Sequence, residues 1–307
     1  MKKILSVFDV SSFIHAGHVN KRAFLEQYVQ KDIPGRSMTW CTQRTPAGGT
    51  AFLLKSVIPV SRRGDVVLCC DRNPTIKKAM LPTYKSNRDH KSSIETDKKL
   101  AEYVLNSCGM TVLHADGYEA DDIIYTVVRQ CYDMYDEIHV YTGDSDLYFL
   151  VDNKVSIKPS SSRAKEVTME NFPYQFKKGI EIPYNYAIPY KILHGDSSDC
   201  IPPLDKKYAR IFYEGTTRGA TAESCGIKEV LDFLIYEVYP FAKESYEIIH
   251  PLFVEDVPTY FKVPDIQMMF NWASTMHCGE YIGMESKSFN AEPMIAEIQS
   301  MGLYEEE

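Results

Sequence analysis

The sequence predicts an α/β protein with a central, mostly parallel twisted sheet, helices on both faces and a smaller helical C-terminal region. Short apolar, β-branched runs alternate with segments of helical periodicity over residues 1–150. Acidic residues stand at the ends of several of these runs, and beyond residue 150 the pattern becomes helical and less regular. Strand–helix alternation of this kind is typical of a parallel sheet covered on both faces.

The first predicted strand covers residues 4–12, because the run ILSVFDVSS is short, apolar and β-branched. Residues 20–31 are predicted to form a helix, and residues 32–49 a loop, since they hold two prolines and three glycines. A short helix is expected over residues 50–60, ending before Pro59.

A basic segment, residues 72–91, follows the second predicted strand at 65–71. Six bases stand there against one acid, Asp89, which gives a charge of +5 in twenty residues. A local basic patch matters more to a phosphate backbone than the whole-chain charge of −8. The segment therefore favours contact with nucleic acid, and a solvated charged loop is the alternative. A helix is predicted next, over residues 93–109.

Two more strands are predicted at 110–116 and 137–146, and between them a helix that starts in the acidic run GYEADD and ends near Tyr132. Residues 156–168 are expected to form a polar loop or a short hairpin. Further helices are predicted over residues 183–204, 206–215 and 227–239. The last three glutamates are predicted to be disordered.

Composition excludes several classes of protein. The 307 residues are 44% hydrophobic and 25% charged, which is ordinary for a soluble globular protein. No apolar run is long enough to span a bilayer, and the N-terminal MKKILSVFDV resembles a strand more than a signal peptide. The eight cysteines form no Cys-x-x-Cys pair, which argues against zinc and disulfides and favours a reducing cytoplasm.

Carboxylates gather where the predicted strands end. In a parallel sheet, ligands bind beyond the carboxyl ends of the strands. The acids at such positions, or in motifs that follow them, are Asp9, Asp71, Glu119, Asp121, Asp122, Asp144, Asp146, Asp196 and Asp199. Acids also favour the first turn of a helix, and this alternative explains one or two members of the GYEADD run. It does not explain why the others converge on the same edge.

A cluster of like charges needs cations. Oxygen-only ligands point to Mg²⁺ or Mn²⁺, and the number of acids suits two ions. Two such ions form the arrangement that hydrolyses phosphodiesters, in which one activates a water and the other stabilises the leaving oxygen. None of the eight histidines lies in these motifs.

The order of the motifs resembles the flap endonuclease or 5′-nuclease family, and it looks most like the phage 5′-3′ exonucleases of that family. The resemblance covers residues 1–205 and rests on Asp9, Asp71, YKSNR (84–88), EADD (119–122), TGDSD (142–146) and GDSSD (195–199). It implies a PIN-like nuclease core over residues 1–180 with a basic helical arch at about 72–95. Residues 181–307 would form a helical region with a modified helix-turn-helix-like DNA-binding element and an acidic tail.

The resemblance also implies roles for single residues. The first metal ion would be held by Asp9, Asp71, Glu119 and Asp121, with Asp122 acting through water or at the second ion. The second ion would be held by Asp144, Asp146 and Asp199, with Asp196 helping from outside. Asp71, Lys85 and Arg88 would be catalytic, and Lys77, Lys78, Tyr84, Lys85 and Arg88 would contact nucleic acid. Stacking of Tyr84 on a base and ordinary packing remain equal alternatives.

The sequence after the last acid pair, Asp196 and Asp199, differs from the pattern of the family. The family continues Asn-Ile-Pro-Gly and a Gly-x-Gly element that holds duplex DNA and a monovalent cation, whereas this chain reads CIPPLDKKYARIF. Lys206, Lys207 and Arg210 would then hold phosphates by charge. The sequence does not support the monovalent-cation site.

The sequence thus predicts a metal-dependent 5′-3′ exonuclease or flap endonuclease that acts on 5′ ends or 5′ flaps of DNA or on RNA–DNA hybrids. The resemblance implies primer removal in phage DNA replication, in the host cytoplasm, with a single-stranded-DNA-binding protein or a sliding clamp as partners and no membrane contact. Two alternatives stay open: a PIN-type ribonuclease, and a non-catalytic, structure-specific nucleic-acid-binding protein.

Overall fold

The computed structural model describes residues 2–20, 24–31, 39–88, 92–160, 165–170, 174–176, 180–182, 188, 191–192, 195–203, 246–276, 292–302 and 305–306. The predicted helices at 206–215 and 227–239 lie outside the described residues. So do Lys206, Lys207 and Arg210 of the expected DNA-binding element.

A five-stranded parallel sheet organises the described chain, as the sequence predicts. Its strands are β1 (Ile4–Asp9), β4 (Asp65–Cys69), β5 (Thr111–Leu113), β6 (Glu137–Tyr141) and β7 (Val155–Lys158). They pair in the order β5-β4-β1-β6-β7, and every pair is parallel. The strands end earlier than predicted, so the acids that follow them lie in turns beyond the sheet.

Helices cover both faces of this sheet. They are α1 (Val10–Asn20), α2 (Gly48–Ser61), α3 (Thr75–Met80), α4 (Ser92–Ser107), α5 (Ala120–Cys131), α6 (Ile266–Thr275) and α7 (Glu292–Ser300), with 3-10 turns at Tyr132–Met134 and Ser145–Leu150. Alternation along β1 places Phe8 in the core with α1, α2, α4 and α6, and Val7 in the core with α5. Within the described part of the chain, no helix is long and apolar enough to cross a membrane.

A β-hairpin replaces the predicted helix at 20–31 and part of the predicted loop at 32–49. β2 (Phe24–Lys31) pairs antiparallel with β3 (Thr39–Pro46) over their full lengths. The helix prediction was wrong because pairing with the neighbouring strand outweighs a weak local preference, and both segments are rich in aromatic and β-branched residues.

Helix α2 runs through Pro59 and does not stop before it, as the sequence had predicted. Because the helix ends at Ser61, Pro59 lies in its last turn, where few hydrogen bonds follow the proline. Val57 and Ile58 are fully buried beside it, so packing compensates for the lost backbone bond.

The basic segment is less helical than the predicted arch. Only α3 is helical in its first part, and residues 82–87 form turns. Lys85 takes a left-handed backbone conformation, with φ of 53°, which a helix cannot contain. Its backbone N–H donates to the carbonyl of Asp199 at 3.1 Å. A long-range hydrogen bond therefore fixes this turn, and Lys85 does not lie on a helix, as the predicted helical arch would require.

In the predicted helix at 183–204, the described residues Ile188, Lys191 and Ile192 are helical, whereas the segment after them departs from the prediction. Residues 195–203 form a tight turn closed by a bridge between Asp196 and Ile201. Short strands β8 (Tyr174–Phe176) and β9 (Ile180–Ile182) pair with each other, and Ile157 bridges Val167 as in the hairpin alternative. β10 (Glu305–Glu306) pairs with β3, so two of the terminal glutamates are ordered.

Late parts of the chain pack against the parallel sheet and its helices. Trp272 of α6 is fully buried in the core formed by α1, α2 and α4. A strap, residues 250–254, crosses α5, where the Val254 N–H donates to the Thr126 hydroxyl at 2.9 Å. The predicted domain boundary at residue 180 stays a prediction. These contacts connect residues before it with residues after it.

We expect Asp97→Ala to lower the free energy of unfolding by about 2–4 kcal/mol, because buried donors would lose their acceptor. The Asp97 carboxylate lies at the start of α2 and accepts from the Gly49 N–H at 2.7 Å, the Thr50 N–H at 3.0 Å and the Thr50 hydroxyl at 2.6 Å. Urea denaturation measures the effect. Lys99→Ala is the control, because Lys99 is exposed and lies on α4, as Asp97 does. A change no larger than that of the control would contradict this role.

Candidate metal centre

Several of the predicted metal-binding acids lie at the carboxyl edge of the parallel sheet. Asp9 is the last residue of β1, Asp71 follows the end of β4, and Asp144 follows the end of β6. Glu119 is the residue before α5, after β5. Because β4, β1 and β6 are parallel neighbours, these side chains reach the same end of the sheet.

Asp9 is buried, and its two oxygens are held separately. One accepts from the Ser12 N–H at 3.0 Å, and the other from the Thr142 hydroxyl at 2.8 Å. Burial and the neighbouring Asp71 carboxylate raise the pKa of Asp9 to about 7, and these hydrogen bonds only partly oppose that rise. Such a carboxylate gains from a nearby cation.

The start of α5 explains part of the acidic run. The backbone N–H of Glu119 donates to Asp122 at 2.9 Å, and that of Ala120 donates to Asp71 at 2.8 Å. The helix-start alternative therefore describes Asp122. It does not describe Asp121, whose pKa is raised well above its usual range by burial and by the nearby Asp144 and Asp9 carboxylates.

A second group of carboxylates has the spacing of a cation site. Asp146, Asp196 and Asp199 each offer an oxygen within 4.8 Å of the others. The turn at 195–203 brings two of them to the sheet edge, and Gly195 permits it with φ of 67°. A Cβ at Gly195 would lie 2.5 Å from the Ile201 carbonyl oxygen. Burial and Asp144 raise the pKa of Asp146 to about 7.

Basic side chains pair with these acids. The Lys85 ammonium contacts Glu119 and lies 3.8 Å from Asp199, and the Arg88 guanidinium donates to Asp199 at 2.5 Å. Lys191 contacts Asp146 and lies 2.6 Å from Asp196. Lys77 and Lys85 lower the pKa of Glu119 to about 2, and hydrogen bonds from Lys191 and Ser198 lower the pKa of Asp196 to about 2, although burial acts in the opposite direction on both.

Two expected nucleic-acid contacts lie inside the protein. The Lys77 side chain is 4% exposed, and its ammonium forms ion pairs with Glu119 and Asp122. Tyr84 is 3% exposed and its hydroxyl donates to Glu119 at 2.8 Å, so packing describes its ring better than base stacking. Lys78 keeps partial exposure and donates to Asn73 at 2.8 Å.

Two clefts meet at this edge. Asp121, Asp144, Asp146 and Asp199 line the first, together with Lys77, Tyr84, Lys85 and Lys191. Asp71 and Glu119 line the second, a groove of about 650 Å³, and Lys85 borders both. Six bases line this groove: Arg72, Lys78, Lys85, Arg88, Lys98 and Lys99. The acids and the bases predicted from the sequence therefore lie side by side, and their roles stay predictions.

Sequence reasoning missed Lys191 and Thr142. Thr142 lies within the quoted TGDSD motif, where only the acids drew attention. Lys191 precedes Asp196 in a largely apolar run, and an isolated base in such a run next to an acid pair was the available signal. In the structure it bridges Asp146 and Asp196.

The donor set fits a hard divalent cation. Every candidate ligand is a carboxylate, and three of their oxygens are close enough to share one ion. Burial, together with neighbouring carboxylates, raises the pKa of Asp9, Asp121 and Asp146 at this edge. Asp122 is the exception among the predicted ligands, because it is fully buried and its oxygens accept from protein donors.

We expect the metal-free protein to lose stability as pH rises from about 4 to 7. Asp9 and Asp146 have a folded pKa of about 7, above the unfolded value near 4, so the folded state binds more protons in between and deprotonation weakens it. Glu119 and Asp196, with a pKa of about 2, change the pH dependence of stability only in more acidic solution. Histidines with a lowered pKa, such as His250, make the folded state more stable as pH rises. The contribution of the two aspartates is therefore measured by comparing the wild type with a variant that lacks them.

Thermal unfolding in EDTA tests this expectation. Relative to Asp9→Asn/Asp146→Asn, the wild type should lose about 5 °C more between pH 4 and 7. Mg²⁺ should restore most of this loss at pH 7. An equal pH dependence in both proteins would show that these carboxylates do not titrate in this range.

Residues 23–177 match the family model described as 5′-3′ exonuclease, N-terminal resolvase-like domain. The chain is 28% identical over 198 residues to DNA polymerase I of Treponema pallidum, covering 62% of this chain and 20% of that protein. It is 31% identical over 130 residues to a 5′-3′ exonuclease of Mycoplasma pneumoniae, covering 41% and 44%. The matched part is thus less than half the length of these relatives.

Two solved structures share the fold. The phage T5 flap endonuclease in complex with DNA and metal ions aligns with a TM-score of 0.54 and 15% identity, covering 80% of this chain and 86% of that one. The phage T5 5′-exonuclease with bound zinc aligns with a TM-score of 0.53 and 15% identity, covering 91% of both chains. At this identity the similarity shows the fold.

Proposed function

The chain belongs to the 5′-3′ exonuclease family, and we propose that it hydrolyses phosphodiester bonds at 5′ ends and 5′ flaps of DNA with the help of two divalent metal ions, Mg²⁺ or Mn²⁺. The observation that carries this proposal is the cluster of carboxylates at the carboxyl edge of the parallel sheet, bordered by Lys85 and Arg88. Phosphodiester hydrolysis needs both charges, because acids hold the ions and bases neutralise the phosphate.

The acids divide into two sets in this proposal. Asp9, Asp71, Glu119 and Asp121 would hold one ion, and Asp144, Asp146 and Asp199 the other, with Asp196 beside them. When bound, the ions would lower the pKa of a water and stabilise the charge on the leaving oxygen. The protein fixes the acids in advance: Thr142 and Ser12 hold Asp9, and the N–H of Ala120 holds Asp71.

The bases act on the substrate. Lys85 and Arg88 contact Glu119 and Asp199, the same carboxylates that would hold the ions. Once cations compensate those acids, both side chains are free to pair with a phosphate of the scissile bond. Arg88 is half-exposed and offers a planar pair of donors, which suits a phosphate.

The groove beside Asp71 would carry the strand. Its basic residues lie on α3, on the turn at 82–88 and on α4, so they border the groove from two sides. The phage T5 relative was solved with DNA and metal ions, which supports DNA as the substrate class. Action on RNA–DNA hybrids, a role in phage replication, and contact with a single-stranded-DNA-binding protein or a sliding clamp extend this proposal.

A digest of 5′-labelled substrates tests the function. Purified protein with Mg²⁺ is incubated with a 5′-flap duplex, a nicked duplex, an RNA–DNA hybrid and a blunt duplex that carries only a 3′ flap. We expect products from the 5′ flap and the nick, none from the 3′ flap, and none in EDTA. Binding without cleavage would favour the non-catalytic alternative, and cleavage of single-stranded RNA alone would favour the PIN-type ribonuclease.

A further inference from the structure

Lys77 is the most deeply buried base at the site. Its side chain is 4% exposed, compared with 16% for Lys85 and 18% for Lys191. The ammonium lies 2.9 Å from Oε2 of Glu119 and 3.0 Å from Oδ1 of Asp122. A phosphate contact needs an ammonium at the surface, and the neighbouring Lys78 on α3 has the greater exposure. The geometry therefore separates these two adjacent lysines.

Asp122 has its hydrogen bonds inside the protein. Its Oδ2 accepts from the Glu119 N–H at 2.9 Å, and its Oδ1 accepts from the Leu252 N–H at 2.7 Å as well as lying near Lys77. The residue is fully buried and is not among the described residues that line the two clefts. A buried carboxylate needs a compensating charge, and Lys77 supplies it.

The two oxygens of Glu119 have different partners. Oε2 accepts from Lys77 and from the Tyr84 hydroxyl at 2.9 and 2.8 Å, whereas Oε1 contacts Lys85. Glu119, Lys85 and Asp71 line the groove, whereas Lys77 and Tyr84 line only the first cleft, so Oε1 lies on the groove side of the carboxylate. Two donors on one oxygen fix the orientation of the carboxylate and leave the other oxygen for a cation.

We propose that Lys77 is a positioning residue that holds Glu119 with Oε1 toward the groove that Asp71 lines and ties it, through Asp122, to the strap at Leu252. This inference rests on the proposed function, since it takes Glu119 as a metal ligand. Lys77 acts through Glu119 and does not contact the substrate. Groups that orient metal ligands in this way typically contribute about 10–100-fold to metal affinity.

The test uses a variant that keeps the buried charge balanced. Lys77→Met alone would leave Asp122 without its counter-charge and would destabilise the protein. Lys77→Met/Asp122→Asn removes both charges with little change in volume and releases Oε2 of Glu119 from its ammonium. Because an asparagine has one acceptor oxygen for the Leu252 and Glu119 N–H groups, Asp122→Asn alone shows what the lost bond contributes. Lys78→Met on the same helix is the matched control, and Lys77→Arg keeps the charge.

Mn²⁺ titration of the full chain by calorimetry, without nucleic acid, gives the first measurement. We expect the double variant to bind Mn²⁺ about 10–100-fold more weakly than wild type, the Lys78→Met control to bind it normally, and Lys77→Arg to recover part of the loss. A folded double variant with wild-type Mn²⁺ affinity would overturn the proposal. This titration needs no cleavage, so it stands even where the digest shows that the chain is not a nuclease.

Binding of a 5′-flap DNA in EDTA, over a range of salt concentrations, gives the second measurement. A phosphate contact contributes about one unit to the slope of log affinity against log salt. We expect that slope to be unchanged in the double variant and reduced in Lys78→Met. A reduced slope in the double variant together with normal Mn²⁺ affinity would show that Lys77 contacts the strand, as the sequence alone had suggested.

Discussion

Asp71→Asn is expected to reduce Mg²⁺-dependent cleavage by about a thousandfold or more while leaving DNA binding largely intact. Asp71 lies beyond β4, next to Asp9, whose pKa it helps to raise, so it stands among the acids that would share an ion. Loss of one charged ligand removes the stabilisation that the ion gives to the transition state. Affinity for DNA comes mainly from the bases, which the variant keeps.

The amide is chosen so that the fold is preserved. Oδ1 of Asp71 accepts from the Ala120 N–H at 2.8 Å, and an asparagine oxygen can accept the same bond. Asp116→Asn, an exposed acid in the loop before α5, is the matched control and should retain full activity. Single-turnover cleavage of a labelled 5′ flap measures both variants. Turnover by Asp71→Asn within tenfold of wild type would remove Asp71 from the proposed metal site.

The acids at the sheet edge could be predicted from sequence because one rule places them. Parallel strands point the same way, so residues that follow apolar runs meet at one edge whatever the details of packing. Asp9, Asp71 and Asp144 illustrate this, since the structure places each at or just beyond a strand end even though the strands are shorter than predicted. An error of two residues in a strand boundary does not move an acid to the other edge.

Features that depend on distant contacts could not be predicted. The β2–β3 hairpin is stabilised by pairing between its two strands, and local periodicity does not report that pairing. The turn at Lys85 takes its conformation from a bond to Asp199, more than a hundred residues later. Lys77 and Lys78 are adjacent bases of one run, and only tertiary packing decides which one is buried.

Lys85 and Lys78 should have different effects on catalysis, although both belong to the same basic segment. The Lys85 ammonium reaches the acids and borders both clefts, whereas the Lys78 ammonium donates to Asn73 at 2.8 Å and lines only the outer groove. A charge that neutralises phosphate in a partly dry site stabilises the transition state by several kcal/mol, of the order of 2–4. A contact at the surface contributes less and weakens with salt.

Lys85→Ala is therefore expected to lower the single-turnover rate by about a hundredfold or more, with only a modest loss of DNA affinity. Lys78→Ala should mainly weaken binding and reduce its salt dependence by about one unit of slope. Because Lys85 also neutralises Glu119 and Asp199, its loss leaves those acids more exposed to mutual repulsion, which favours cation binding. Measurement at saturating Mg²⁺ removes the effect of altered cation affinity. The remaining loss of rate then reports the missing contact between Lys85 and the phosphate. If both variants showed the same small loss of binding and neither changed the single-turnover rate, the segment would be a uniform basic surface and Lys85 would have no catalytic role.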